Sequence, residues 1–171
     1  MPPFVAPALV LLFVGLVLAA ALKDALSFTI PNWVSLALIA AFPPAALAVG
    51  MPLSGMGLNA LVGAGALVAG MVMFALRWVG GGDAKLLAAV SLWVGWPAVT
   101  TLLAGTAIAG GSLAVLLVSL RSAQLRPLVL LGPPWIVRLA EPGEGVPYGV
   151  AIAAGAFAAL PLTLFGASLG L

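Results

Sequence analysis

Only four of the 171 residues are acidic, and two of them, Asp24 and Asp83, stand at the ends of apolar runs. An ionisable group at a membrane boundary is costly to keep unless it reaches water, pairs or reacts. Asp83 closes a run of three glycines in "WVGGGDAKLLAAV" (78–90). A helix cap does not need Gly80, Gly81 and Gly82 together. Three residues without Cβ let the backbone take positive φ and let a substrate backbone lie alongside. Two aspartates a few ångströms apart share a proton, because like charges that close do not both ionise easily. One can activate a water while the other, protonated, polarises a scissile carbonyl. A helix N-terminus favours a carboxylate at Asp83, and a helix C-terminus just before Asp24 disfavours one there. These dipoles predict Asp83 as the resting base and Asp24 as the proton-bearing acid. The plainer alternative makes Asp24 a partner of Lys23 and Asp83 a simple helix cap.

Both aspartates need elements that bring them to one level. With 64% hydrophobic and 6% charged residues, the chain has too little polar surface to cover a water-soluble globule. Apolar runs long enough to cross roughly 30 Å of hydrocarbon as helices recur, and the alternation of a membrane β-barrel is absent. The expectation is an all-α polytopic membrane protein, one transmembrane domain over 1–171. Six segments are predicted, at about 4–22, 33–50, 58–76, 84–97, 99–120 and 147–168. Trp96-Pro97 breaks the fourth, leaving either a tight hairpin with the fifth or one long kinked helix. Asn32 after Pro31 is predicted to N-cap the second segment, as Asp83 would the fourth. The first segment lacks a basic stretch ahead of it and is nearer a full span than a signal peptide's apolar region.

Basic residues set the orientation. Lys23 follows the first segment, Arg77 and Lys85 flank the loop after the third, and Arg121, Arg126 and Arg138 follow the fifth. By the positive-inside rule these loops are cytoplasmic and both termini lie outside, as expected of a multi-pass protein of the cytoplasmic (inner) membrane. The net charge of +2 is spread between helices and forms no nucleic-acid-binding face. With neither cysteine nor histidine, thiol and Ser-His nucleophiles, disulfides and cysteine zinc sites are excluded, and no metal or cofactor is expected. The connection 121–146, with Trp135, is read either as a segment lying on the membrane surface or as an ordinary loop. Glycines inside the spans point to close helix packing, and Asn59 to a hydrogen bond between helices.

Three motifs now line up: "DALSFTIPN" at 24–32, an Asp, six residues, then Pro-Asn; "GGGDAKLL" at 80–87, a GxGD motif followed by Lys; and "VPYGVAIAAGA" at 146–156. Together they resemble the type IV prepilin peptidases, membrane aspartic proteases of the GxGD class, and their compact branch that processes tight-adherence (Flp) pilins. The resemblance implies that Asp24 and Asp83 are the catalytic pair. It also implies that the substrate is a prepilin or pseudopilin precursor, whose short basic leader is cut at the cytoplasmic membrane face, typically after a glycine. Gly80, Gly81, Gly82, Lys85, Pro147, Tyr148 and Gly149 are candidate substrate-binding or loop-shaping residues. Lys85 either holds the carboxylates by charge or serves only as a topology signal. Tyr148 lines the site or belongs to an aromatic belt. Glu141 and Glu144 would draw in a basic leader by long-range attraction. Larger members carry a cysteine-paired region and N-methylate the product; this chain lacks cysteine, so peptidase activity without methylation is expected. The competing readings are a small carrier or channel using the aspartates as ion sites, and a non-catalytic membrane subunit.

Overall fold

A chain this apolar has few side chains able to satisfy its amides and carbonyls, so the backbone pairs with itself, locally, as helix. The computed structural model describes residues 4–122, 124–132, 137 and 145–171. The expectations attached to Trp135, Arg138, Glu141 and Glu144 fall outside them. The described residues are helical or connecting, with no strand among them. Five helices come first: α1 (Val5–Ser27), α2 (Asn32–Ala48), α3 (Leu53–Ala75), α4 (Gly81–Val94) and α5 (Val99–Leu120). A short α6 (Arg126–Val129) precedes α7 (Tyr148–Ala159), a 3-10 turn (Leu160–Leu162) and α8 (Leu164–Ala167). By length and composition α1, α3 and α5 can each cross a membrane; α2 and the stretch from Tyr148 to Leu162 are shorter apolar helices.

Several boundaries differ from the expectation. Helix α1 continues past Lys23 and stops only where Phe28 turns left-handed, at φ 50°. Asp24 therefore lies in its last turn rather than beyond it. Helix α3 starts at Leu53, directly after extended Pro52, and not at 58. Helix α4 stops at Gly95, ahead of Trp96-Pro97. It packs mainly on α3 while α5 packs on α7, so the two form neither a packed hairpin nor one kinked helix. The last segment is continuous helix only to Ala159, because Pro161 cannot donate to the ladder and a 3-10 turn follows.

The centre of the bundle is aromatic. Trp93 of α4 stacks on Phe13 of α1 at 4.8 Å and meets Phe165 at 4.9 Å and Phe42 at 6.1 Å. Its indole N–H donates to the Leu38 carbonyl at 2.8 Å, which satisfies the one polar atom of a fully buried ring. This stack sets a register. At 1.5 Å per residue, Asp24 lies about 16 Å along α1 from Phe13, and Asp83 about 15 Å along α4 from Trp93. With α1 ending and α4 beginning at the same end of the bundle, the two aspartates arrive level.

The glycines pack helices, as expected. A Cβ on Gly70 of α3 would stand 2.9 Å from the Ala84 Cβ of α4, and one on Gly105 of α5 would stand 2.9 Å from the Gly155 Cα of α7. Asn59 also behaves as read: it is buried, and its amide donates to the Leu92 carbonyl of α4 at 3.0 Å. Gly95 closes α4 at φ 65°, and a Cβ there would run into the Asn59 side chain. Gly95→Ala is expected to destabilise the protein by roughly 2–4 kcal/mol, combining left-handed strain with a lost buried hydrogen bond. Thermal unfolding in detergent checks this. Adding Asn59→Ala should cost less than the two single changes together, since it removes the clash.

Candidate active site

Asp24 is buried, and its Oδ2 accepts the Gly149 N–H at 2.6 Å. That amide is free because the first turn of a helix has no internal acceptor for its N–H groups. Pro147, buried at the N-cap, starts α7 so that Gly149 is its second residue. The α1 carboxylate thus caps α7. Glycine is required at 149 by proximity: a Cβ there would lie 2.9 Å from the Asp24 Oδ2 and 3.0 Å from the Ile30 Cδ1.

Asp83 is not the N-cap of α4; Gly80 is. The aspartate stands three positions on, and its carboxylate reaches back to accept the Gly80 N–H, the acidic half of a capping box. Both carboxylates therefore face a helix N-terminus, α7 for Asp24 and α4 for Asp83. The dipole contrast that separated base from acid in the sequence is weaker, since the N-terminus of α7 offsets the C-terminal end of α1 at Asp24. Asp83, ahead of the apolar stretch of α4, has its pKa pushed up to about 6. Burial is the main cause, Asp24's charge adds to it, and the Gly80 hydrogen bond opposes both.

The glycine run works differently from the expectation. None of Gly80, Gly81 and Gly82 has positive φ. Gly80 is extended, and the other two begin α4. What they supply is proximity: a Cβ on Gly82 would stand 3.2 Å from the Ile30 Cβ, one on Gly81 3.4 Å from the Phe74 ring, and one on Gly80 2.8 Å from the Asp83 Oδ2. The α1–α2 connection thereby lies directly on the start of α4.

Asp24 and Asp83 open into one cavity of about 760 Å³, walled by Phe28, Phe74, Trp78 and Tyr148. A recess of about 230 Å³ touches both carboxylates and all three glycines. Tyr148 also packs against α5, where a Cβ on Gly110 would come within 3.0 Å of its ring. Arg77 reaches the same cavity from a left-handed position, φ 61°, just past α3. Tyr148 lines the cavity, as one of its two readings had it, whereas Phe28, Phe74 and Trp78 escaped the sequence reading, although Phe28 sits one helical turn after Asp24, a spacing that puts both on one face. Lys85 is elsewhere. Its ammonium donates to the Asn32 Oδ1 at 3.0 Å on another side of α4. Asn32 is accordingly the first residue of α2, after extended Pro31, and not its side-chain cap.

Two carboxylates in one cavity, each held by a main-chain N–H, are the groups that acid–base hydrolysis of an amide bond would call on. The comparison with known families agrees with this chemistry. Residues 11–115, more than half of the chain, match the Type IV leader peptidase family, and the chain belongs to that family of membrane peptidases. The match spans Asp24, Asp83 and the glycine run, and ends within α5, before Gly149. No curated protein and no solved structure matches the chain.

Proposed function

We propose that this protein is an aspartic endopeptidase that removes the short basic leader from a Flp-like prepilin at the cytoplasmic membrane face, without methylating the product. The observation that carries the reading is the convergence of Asp24, from the last turn of α1, and Asp83, from the first turn of α4, on one cavity. In the six-span topology both termini are outside, and the cavity opens at the cytoplasmic end. There a substrate's apolar helix stays in the bilayer while its leader enters.

The pair works with one proton. The ionised carboxylate takes a proton from water as the oxygen attacks the scissile carbonyl carbon, and the protonated carboxyl donates to the carbonyl oxygen. The tetrahedral diol then collapses: the C–N bond breaks, the amine leaves with a proton from one carboxyl, a diol hydroxyl returns its proton to the other carboxylate, and a carboxylic acid remains beside a pair that again holds one proton. The aromatic walls exclude water and strengthen these transfers.

The test is co-expression with a short Flp-type precursor, followed by mass spectrometry of the new N-terminus. The expected product is the shortened pilin with an unmodified amine. A precursor left intact would overturn the peptidase reading, and an N-methylated terminus would overturn its second half.

A pH dependence follows. The reaction requires one protonated carboxyl, and Asp83 with a pKa of about 6 loses its proton as pH rises. On the alkaline side, kcat/KM is expected to fall about tenfold per pH unit, the slope of one ionisation. A rate that climbs from pH 6 to 9 in detergent would contradict the shared proton.

A further inference from the structure

A second cavity lies on a different side of α4 from the carboxylates. It has a volume of about 590 Å³ and runs between α2, α3 and α4. Each helix contributes one stripe of its surface, Lys85, Ala88 and Leu92 on α4 and Asn32, Ser35 and Ile39 on α2. Its depth comes from small side chains. Gly63 sits directly on Leu92, where a Cβ would come within 3.0 Å of the Leu92 Cβ, and Ala64 beside it is exposed. The far part is wholly apolar, and the polar end holds Asn32 and Lys85. No acidic residue lines it. The Lys85 ammonium gives one hydrogen bond, to Asn32, of the three it can donate.

Chemistry chooses among occupants. From Lys85 to Leu92 the groove extends about 10 Å along the helix axes, apolar beyond its one polar end. Such walls suit hydrocarbon chains. A cation at the polar end of an apolar slot between membrane helices is suited to an anionic lipid headgroup. We propose that this groove holds one anionic phospholipid, its acyl chains between α2, α3 and α4 and its phosphate on Lys85. This inference stands apart from the peptidase reading, since it uses neither carboxylate.

The test uses the purified full-length protein in uncharged detergent. Native mass spectrometry counts retained phosphatidylglycerol and phosphatidylcholine of identical chains. The wild type is expected to prefer phosphatidylglycerol about fivefold, the effect of one lysine at an anionic surface. Lys85→Gln should abolish the preference, Lys85→Arg should keep it, and Ala64→Phe, which fills the slot from an exposed position, should lower retention of both lipids. Equal retention of the two lipids by the wild type, or a preference that survives Lys85→Gln, overturns the proposal. So does an Ala64→Phe protein that keeps its lipid but no longer cleaves a pilin precursor, since the slot would then take the substrate's helix. The readout is lipid binding, so its failure leaves the peptidase reading untouched.

Discussion

Asp24→Asn and Asp83→Asn are each expected to lower the cleavage rate by at least roughly 10³-fold, with membrane levels unchanged. Asparagine keeps the shape of the side chain, and its amide oxygen can still accept the Gly149 or Gly80 N–H. What it loses is the proton that can be taken up or given away. A second prediction sharpens the first: the double variant should be no slower than the worse single one, because two groups that act as a unit are lost together. Cleavage surviving in either single variant would separate the pair and return the carrier or scaffold readings. An equal loss of protein from the membrane would mean that the aspartates hold the fold. The measurement is the size shift of a co-expressed precursor, normalised to enzyme in the membrane fraction.

Gly149→Ala is expected to slow cleavage about 10²-fold while leaving both aspartates in place, the order of loss that a misplacement of about 1 Å produces. The added methyl would stand 2.9 Å from the Asp24 Oδ2 and 3.0 Å from both the Asp24 Cβ and the Ile30 Cδ1. Three neighbours cannot all give way, since Ile30 already rests on Gly82. The start of α7 must shift, and the 2.6 Å bond from the Gly149 N–H to Asp24 lengthens. The effect should fall on kcat more than on KM, because Phe28, Phe74 and Trp78 stay where they are and only Tyr148 among the cavity walls belongs to the start of α7. Gly111→Ala is the control, since nothing lies within 4 Å of a Cβ there. Equal rates for the two alanine variants would remove Gly149 from any positioning role.

Much of this site could be read before any fold was known. Asp24 and Asp83 stood out because a chain almost without charge makes each carboxylate conspicuous, and because three adjacent glycines exceed what a cap needs; Gly149 came only with the Pro-Tyr-Gly motif of the family resemblance. Less legible was how the parts act. The glycine run suggested unusual backbone angles, whereas its use is contact with Ile30 and Phe74, which no local pattern reveals. The dipole argument weakened for a similar reason. Asp24 was judged against its own helix, and the helix end that faces it belongs to α7, more than a hundred residues on. Lys85 lay only two residues from Asp83, yet that step carries a side chain to a different face of a helix. Trp93, whose stacking on Phe13 brings the aspartates level, carried no signal, since an apolar aromatic in an apolar segment looks like any other residue of a span.

The hydrogen bonds that hold the two carboxylates both come from the main chain, Gly149 for one and Gly80 for the other. An amide N–H is supplied by every residue except proline, so this arrangement is written in the path of the chain and not in the identity of a neighbouring side chain. On the proposed function, substitutions around the pair can then reshape the cavity, and with it the choice of substrate, while the acid–base machinery stays intact. Only where an added methyl would push the chain aside does the machinery constrain which residue is allowed.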